Sequence, residues 1–396
     1  MRFRTIAWRM AIPLLLLAPG AGAADGRAGA PYEIPVMIPL TGAAAFLGQG
    51  ERIALGFVER TVNASGGIDG HPLAFAFKDD QSNPQTAVQI ASQILAGKPA
   101  VLLGSSLVAS CRAIAPLMRD GPVNYCFSPG IHPAAGSYVF TSSVSTVDLI
   151  NAELRYFRLR GWRRIALIVS TDATGQDAEN AVRAVIALPE NKSMTLVAAE
   201  HFNIADVSVS AQIENVKAAD AQALIAWSTG TPIGTIFRAI ALAGLHIPTA
   251  TTNGNMTYSQ MAQYRDFLPD ELYFPAAEWV VRDAAGLAPD RAKTHAEFFA
   301  AYDAVGQRPD IASELAWDPA MIVVAALRRL GTGADARQVH DYIEHLSGFP
   351  GIDGVFDFTR VPQRGLDVSD AVIARWDKRA ATWQVVSEPT GVPLGR

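Results

Sequence analysis

The sequence predicts an α/β protein of two lobes, each built on a parallel sheet with helices on both faces. Short apolar runs without alternation, such as residues 101–103 and Ala223–Trp227, are typical of strands buried on both faces. Helical patterns separate these runs along the chain, and such alternation favours parallel sheets. Because 396 residues are too many for one compact domain, we expect two lobes.

The first series of elements begins with the apolar run 34–40. Its prolines, Pro35 and Pro39, suit an edge strand or an irregular strand end better than a central strand. Asn83 can cap a helix whose first position is Pro84. In order, the pattern then predicts helix 48–62, strand 73–78, helix 84–95, strand 101–103, a helix through 113–118 and strand 123–127.

A second alternating series follows a polar crossing at Thr141-Ser142-Ser143. Near the end of the chain, the strongly apolar helix 314–330 would need burial against a lobe. The elements predicted in this part are helix 147–160, strand 165–169, a helix from Gln176, strand 195–199, helix 209–218, strand Ala223–Trp227, helix 233–243, strand 249–253, helix 314–330 and a closing hairpin of 371–376 with 383–386.

Composition excludes several classes of protein. A hydrophobic share of 49% supports sizeable cores, and a charged share of 18% argues against a disordered chain. The net charge of −5 gives no basic footprint, so we expect no nucleic-acid partner. The histidines, including His340 and His345, show no metal-binding spacing, and we expect no metal and no cofactor.

Residues 1–23 have the pattern of a cleavable export signal. Arg2, Arg4 and Arg9 precede or border the short apolar stretch 10–19, and Ala21-Gly22-Ala23 supplies an A-x-A cleavage site. A membrane anchor is the alternative, but the stretch is far shorter than the roughly 20 apolar residues that a spanning helix needs. We therefore predict an exported, soluble protein that begins near Ala24.

The predicted carboxyl ends of the strands carry small polar residues in both lobes. These ends are Thr41-Gly42, Ser105-Ser106, 128–132, Ser170-Thr171, 228–231 and 251–253. Open α/β sheets bind small molecules at this edge, where hydroxyls and backbone amides can hold a carboxylate. Ser, Thr and Gly are also common in turns, but their recurrence in six loops of two lobes favours a binding cleft. Trp227, which ends an apolar strand, is expected in the core instead of the cleft.

Six motifs occur in one order along the mature chain: residues 39–42 followed by Gly48-Gln49-Gly50, residues 63–70 (NASGGIDG), residues 79–84 (DDQSNP), Leu103-Gly104 leading to Ala115-Pro116, Ser128-Pro129, and residues 351–358 (GIDGVFDF). Together they resemble the periplasmic solute receptors of the leucine/isoleucine/valine-binding type, which serve ATP-driven (ABC) importers. The resemblance implies the type I periplasmic-binding-protein fold, in which two Rossmann-like lobes, joined by three hinge crossings, close on a ligand. It also implies a monomer in the periplasm that binds a small-molecule carboxylate and works with membrane permease and ATPase subunits.

The resemblance also implies a division of the chain. We expect lobe 1 to comprise residues 24–143 and 277–345, and lobe 2 to comprise residues 144–276. Residues 346–396 would form a carboxyl-terminal segment that returns to lobe 2.

A ligand shell from both lobes follows from the same resemblance. The positions that match or flank the family's ligand contacts are Leu47, Ser105, Ser106, Leu107, Val108, Ser110, Gly130 and His132 in lobe 1, and Thr174, Thr229, Gly230, Thr231 and Asn253 in lobe 2. Five of them depart from the family: Leu47, Thr174 and Gly230 stand where it has aromatic residues, His132 where it has a threonine, and Asn253 where it has an acidic residue.

Asn253 stands where amino-acid binders of the family have an acidic residue that pairs with the ligand's amino group. The loss of this charge argues against an α-amino acid, because a buried ammonium without a counter-charge is costly. Our hypothesis is a carboxylate without the amine, aliphatic or aromatic, held by His132 and the hydroxyls. A branched-chain or other hydrophobic amino acid remains the alternative.

Two features have alternative interpretations. His132 can donate to an anion and is expected to contact the ligand, with a surface-loop histidine as the alternative. Cys111 and Cys126 match no zinc spacing, and an oxidising compartment would permit a disulfide between them. Spacing alone does not decide between a disulfide and two thiols.

Two other functions stay open. An enzyme on a doubly wound fold would need a nucleophile–base pair or a metal cluster at the strand ends, and the sequence offers neither. A ligand sensor that passes closure to a membrane receptor or kinase would use the same closure as a transport protein. Neighbouring permease and ATPase genes would favour transport.

Overall fold

The computed structural model describes residues 29–281 and 287–395. The predicted export signal, residues 1–23, lies outside the described residues. The strands, in chain order, are β1 (Tyr32–Ile38), β2 (Leu73–Asp79), β3 (Val101–Gly104), β4 (Val123–Cys126), β5 (Val139–Thr141), β6 (Arg164–Ser170), β7 (Thr195–Phe202), β8 (Ala223–Trp227), β9 (Thr249–Thr251), β10 (Leu272–Ala277), β11 (Ser347–Pro350), β12 (Val355–Asp357), β13 (Ala371–Asp377), β14 (Thr382–Val385), β15 (Ser387–Glu388) and β16 (Val392–Pro393).

Helices separate most of these strands. The α-helices are α1 (Ala45–Ala64), α2 (Pro84–Ala96), α3 (Val108–Ile114), α4 (Thr146–Leu159), α5 (Ala173–Ile186), α6 (Ser210–Ala218), α7 (Pro232–Ala243), α8 (Tyr258–Gln263), α9 (Pro289–Asp303), α10 (Ile311–Leu330) and α11 (Ala336–Glu344). Short 3-10 helices cover Ala115–Met118, Pro189–Asn191, Asn253–Asn255, Glu278–Val280, Val368–Asp370 and Pro389–Gly391. Within the two described ranges, no helix is both long and apolar enough to cross a lipid bilayer.

Two main sheets define the two lobes. The sheet of lobe 1 has the order β2-β1-β3-β4-β5, with all pairs parallel. The sheet of lobe 2 has the order β14-β13-β10-β9-β8-β6-β7; it is parallel from β10 to β7 and ends in the antiparallel strands β13 and β14. The predicted two-lobe α/β fold and its closing hairpin are therefore confirmed.

The chain passes from one lobe to the other three times. It leaves lobe 1 after β5, returns after β10 so that α10 packs along α1, and enters the sheet of lobe 2 again at β13. Both sheets are buried between helices, as the unbroken apolar runs predict; β3 and β8, for example, are buried along their whole length.

Two local expectations were wrong. β1 lies between β2 and β3 and not at an edge, and Pro35 is tolerated because its part of the strand pairs only with β2. Pro39 lies just beyond the end of β1, as the alternative of a strand end expects. The predicted helix through 113–118 stops being α-helical at Ile114 and continues as a 3-10 turn over Ala115–Met118, where Pro116 lacks the N–H that an α-helix would use. The cap at Asn83 is confirmed, since its side chain accepts the N–H groups of Gln85 and Thr86.

Arg364 lies in the third connection between the lobes, and it contacts both the first connection and a loop of lobe 1. Its buried guanidinium donates to the carbonyls of Ser142 (3.4 Å) and Ser143 (2.9 Å) in the first connection. It also donates to Pro129 (3.1 Å) and Ile131 (2.7 Å) in the loop after β4. Burial lowers the pKa of Arg364 to about 10, so it stays protonated at neutral pH. Arg364 thus fixes the first lobe connection against the loop after β4.

Replacing Arg364 by methionine should destabilise the protein strongly. Four carbonyls would lose their donor, three of them in buried hydrogen bonds, and each unsatisfied buried group costs about 1–3 kcal/mol. Urea unfolding followed by fluorescence should show a loss of at least about 3 kcal/mol in the free energy of unfolding. Arg360→Met is the matched control, because that side chain is 53% exposed and pairs with Asp367 at the surface; its loss should stay below about 1 kcal/mol. Equal losses in the two variants would contradict the role given to Arg364.

Candidate functional site

A cavity lies where the carboxyl ends of the strands of both lobes face each other. Its volume is about 30 Å³. The cavity is therefore narrow, with its two walls close together. It is lined by Leu47, Ser106, Leu107, Val108, Phe127, Ser128, Pro129, Gly130, Thr146, Thr174, Asp177, Trp227, Thr229, Thr252, Asn253, Gly254 and Leu315.

The sequence-predicted site residues divide into two groups. Those that line the cavity are Leu47, Ser106, Leu107, Val108, Gly130, Thr174, Thr229 and Asn253. Those that do not are Ser105, Ser110, His132, Gly230 and Thr231.

The residues of the second group lie outside the cavity, and some of them have hydrogen-bond partners elsewhere. The buried hydroxyl of Ser105 donates to Asp80, and the hydroxyl of Ser110 is buried without a partner among the described residues. The N–H of Gly230 donates to Asn255 Oδ1 at 3.1 Å, and Thr231 is exposed. His132 lies in an outer groove and contacts lobe 2, as described below.

The loop after β3 turns on Gly104, which has φ +88°. A Cβ at this position would lie 2.0 Å from the carbonyl oxygen of Met37 in β1, so only glycine fits. The next two residues then point to different partners. Ser105 faces Asp80, whereas the hydroxyl of Ser106 lines the cavity and donates to Glu51 Oε2 at 2.6 Å.

Glu51 lies one turn after Leu47 on α1 and is fully buried. Burial raises its pKa to about 8; the hydrogen bond from Ser106 acts against this shift, and the charges of Asp80 and Asp310 add to it. Glu51 is therefore mostly protonated at neutral pH. A protonated Glu51 can donate to Ser106 Oγ and leave the serine proton free to point into the cavity.

Gly130 brings the backbone of the loop after β4 against the cavity. A Cβ built on Gly130 would lie 2.7 Å from Val108 Cγ2, 3.2 Å from Asp177 Oδ2 and 3.5 Å from Thr146 Oγ1. The loop is held by Arg364 and by the hydroxyl of Thr141, which donates to the carbonyl of Ser128. Any side chain at position 130 would enter the space between the lobes.

In lobe 2, α5 begins directly after β6 and carries two cavity residues. Asp172 is the N-cap and accepts the N–H of Gly175 at 3.0 Å. Thr174 and Asp177 then lie three residues apart, on one face of the helix. Asp177 is the one ionisable residue among the residues that line the cavity, and its side chain is buried.

Asp177 connects the two lobes. Its Oδ1 lies 3.2 Å from the guanidinium of Arg112 on α3 and 2.8 Å from Nε2 of His132. Its Oδ2 is buried, and no described residue offers it a hydrogen bond. The sequence analysis expected a cavity without an acidic residue, because Asn253 replaces the family's acidic one. The structure differs, since Asp177 on α5 brings a carboxyl group to the same cavity.

The loop after β9 completes the wall of lobe 2. Asn253 accepts from Thr252 Oγ1 at 3.2 Å, but its Nδ2 is buried and has no acceptor within the described part of the chain. Asn255 behind it donates to the carbonyl of Ser228 at 2.8 Å and accepts the N–H of Gly230. Asn255 thereby fixes the loop after β8, which carries Thr229, relative to Asn253.

Sequence reasoning missed several lining residues. They are Phe127, Thr146, Asp177, Trp227, Gly254 and Leu315, whereas Ser128, Pro129 and Thr252 lie in predicted strand-end loops without having been assigned as ligand contacts. The i, i+3 spacing from Thr174 could have pointed to Asp177. Trp227 is only 2% exposed, as expected of a core residue, and it lines the cavity as well.

An outer groove of lobe 1 adjoins the cavity and contains Arg112 and His132. Cys111, in the same groove, forms a disulfide with Cys126 at the end of β4, with Cα atoms 6.2 Å apart. The bond ties α3, which follows the Ser106 loop, to the strand that leads into the Gly130 loop. In a chain-entropy picture, closing a loop of this length stabilises the fold by about 3 kcal/mol.

The pH dependence of the free energy of unfolding should reveal the raised pKa of Glu51. The Glu51 carboxyl keeps its proton up to a pKa of about 8 in the native state, whereas its ordinary pKa is 4.5. The stability that this proton contributes is therefore fully present below pH 4.5 and is lost as the pH rises through 8. The free energy of unfolding of the wild type, relative to Glu51→Gln, should fall by up to about 5 kcal/mol over this range, since each pKa unit corresponds to 1.36 kcal/mol. Chemical unfolding at several pH values measures this difference.

Glu33→Gln, at an exposed position of β1, is the control and should follow the wild type at every pH. Parallel stability curves for the wild type and Glu51→Gln would show that Glu51 does not hold its proton in the native state.

Comparison with known proteins agrees with this architecture. A structure of a type 1 periplasmic binding protein from Bordetella pertussis Tohama I shares 21% identity over 91% of this chain and 100% of its own length, with a TM-score of 0.76. The substrate-binding protein LivJ of a branched-chain amino acid transporter from Streptococcus pneumoniae, solved with isoleucine, shares 16% identity over 89% of this chain and 99% of its own, with a TM-score of 0.73. The leucine-binding protein LivK from Thermotoga maritima shares 16% identity over 89% and 97%, with a TM-score of 0.71.

These structures show likeness of fold. A search of curated protein sequences gives no significant match. The sequence profile of the periplasmic binding protein family, however, matches residues 31–381, which is most of the chain. The chain therefore belongs to the periplasmic binding protein family.

Proposed function

We propose that this chain is the periplasmic solute-binding component of an ABC importer, and that it captures a small carboxylate by closure of its two lobes. The observation that carries the proposal is the cavity itself, whose walls come from strand ends of two separate sheets. Open α/β sheets bind ligands at this edge. Closure of both lobes on a solute there would give permease and ATPase subunits a distinct form of the protein to recognise. Family membership supports the same conclusion.

The polar part of the cavity suits a carboxylate. Hydroxyls of Ser106, Thr146, Thr174 and Thr229 line it together with the unpartnered Nδ2 of Asn253. Neutral donors of this kind can hold an anion without a buried lysine or arginine, because hydrogen bonds to a charged acceptor are the stronger ones. The protonated state of Glu51 supports this use of Ser106, since it leaves the serine proton available.

The rest of the cavity is apolar and suits a hydrocarbon tail. Leu47, Phe127, Trp227 and Leu315 contribute to it from both lobes. Burial of a tail of leucine or phenylalanine size contributes about 1.5–3 kcal/mol. The polar contacts then decide which compound is held.

Ligand exchange requires the lobes to separate, because the closed cavity is narrow. We infer that the solute first meets lobe 1 at Ser106 to Val108 and Gly130, and that Thr174, Thr229 and Asn253 of lobe 2 then cover it. Rotation would occur at the connections between the lobes, where Arg364 ties the first connection to the Gly130 loop.

Thermal-shift screening and calorimetry with short-chain, branched-chain and aromatic acids and with amino acids test the proposal. For any acid that binds, Gly130→Ala should raise Kd at least about tenfold, because the added methyl group enters the cavity beside Val108 and Asp177. Gly333→Ala is the matched control: its Cβ would meet nothing within 4 Å, and its Kd should equal that of the wild type. Unchanged binding by folded Gly130→Ala would show that the solute does not occupy this cavity.

A further inference from the structure

We propose that the outer groove of lobe 1 is a second binding site, which takes a small monoanion, such as a carboxylate, that carries a hydrocarbon tail. The groove is separate from the cavity between the lobes, so the proposal goes beyond solute capture by closure. It also gives a role to His132. The sequence analysis expected this residue to contact an anion, and in the structure it lines the groove instead of the cavity.

The groove is large enough to hold a small molecule without any movement of the lobes. Its volume is about 380 Å³, whereas the cavity between the lobes has about 30 Å³. Binding sites for small molecules have volumes of about 300–1,000 Å³. All residues that line the groove lie between Cys111 and Val139, in lobe 1. The groove is therefore complete in this lobe alone and does not depend on closure.

The walls of the groove combine an apolar surface with two basic side chains. The apolar part includes the buried side chains of Ile131 and Val139 and the disulfide-bonded Cys111. Arg112 and His132 are the basic residues, and none of the described residues that line the groove is acidic. An apolar wall binds a hydrocarbon tail, and a guanidinium binds a carboxylate or a related anion. The two parts together favour an amphiphilic anion.

Arg112 has donor groups left for such an anion. Its Nη2 donates to the carbonyl of Gly130 at 3.1 Å and to Asp177 Oδ1 at 3.2 Å, whereas Nε and Nη1 have no hydrogen-bond partner among the described residues. The side chain is 44% exposed and can be reached from solution. Its two present contacts hold the guanidinium in position before an anion arrives, which lowers the entropic cost of binding. His132 adds a second donor when both of its ring nitrogens carry protons.

The contact with Asp177 does not close the groove to an anion. Arg112 and His132 both contact the same oxygen, Oδ1, so that one negative charge is shared between two basic side chains. Asp177 belongs to α5 of lobe 2 and leaves the groove when the lobes separate. The open form therefore binds an anion in the groove at least as tightly as the closed form does.

Octanoate is a suitable probe, with octanamide as its uncharged counterpart and acetate as an anion without a tail. Calorimetry on the full chain measures the three affinities. Octanoate should bind the wild type at least about tenfold more tightly than either of the others, because only octanoate uses both the basic residues and the apolar wall. Octanoate that does not bind, or that binds no more tightly than octanamide or acetate, would overturn the inference.

Two pairs of variants test whether the octanoate lies in the groove. Arg112→Gln should raise the Kd of octanoate at least about tenfold, whereas Arg119→Gln, at an exposed position outside the groove, should leave it unchanged. Ala134→Trp should also raise the Kd at least about tenfold, because the indole of this exposed residue fills the groove. Ala135→Trp, at the exposed neighbouring position outside the groove, is its control. Equal affinities within either pair would contradict the assignment of this site.

A further variant separates the groove from the cavity between the lobes, which also takes carboxylates in the proposed function. Thr229→Trp fills that cavity from lobe 2 and leaves every residue of the groove in place. The groove of this variant should bind octanoate at least as tightly as that of the wild type. Loss of octanoate binding in Thr229→Trp would assign the acid to the cavity, in which case the proposed function stands and the second site does not.

Discussion

Polar groups that two lobes bring to a shared interface lose water, and each of them then needs a partner inside the protein or in the solute. The fold meets most of this demand with side chains far apart in sequence. Arg364 satisfies four carbonyls at the first lobe connection and the loop after β4, and Asn255 joins the loops after β8 and β9. Two groups that line the cavity, Asp177 Oδ2 and Asn253 Nδ2, have no hydrogen-bond partner among the residues that the structure describes.

Protonation is a second way in which the fold limits the charge between the lobes. A buried carboxyl such as Glu51 takes up a proton because ionisation inside the protein costs more than its hydrogen bond with Ser106 returns. Asp177 has a different environment, since Arg112 and His132 both contact its Oδ1. Two acidic residues near one cavity therefore have different roles, and their surroundings account for the difference.

The sequence predicts the fold well because strand burial and strand–helix alternation are local patterns. It also predicts which loops meet, since parallel strands end at a common edge, and Ser106, Gly130, Thr174 and Asn253 do line the cavity. It does not predict the direction of each side chain: Ser105 and Ser106 are adjacent, yet one faces Asp80 and the other the cavity. Asp177 lies within a helix and not at a strand end; its spacing from Thr174 places both residues on one face of α5, but the packing of α5 against lobe 1 is needed to show that this face meets the cavity.

The disulfide between Cys111 and Cys126 has a consequence for how the protein is produced. Both partners lie on segments that lead to cavity loops, so the covalent link also limits how far those loops can drift apart. Material made in a reducing environment would carry two thiols instead. Such a preparation would have the same sequence and topology but would lack the covalent link between α3 and β4, so its solute affinities could differ from those of the disulfide-bonded protein.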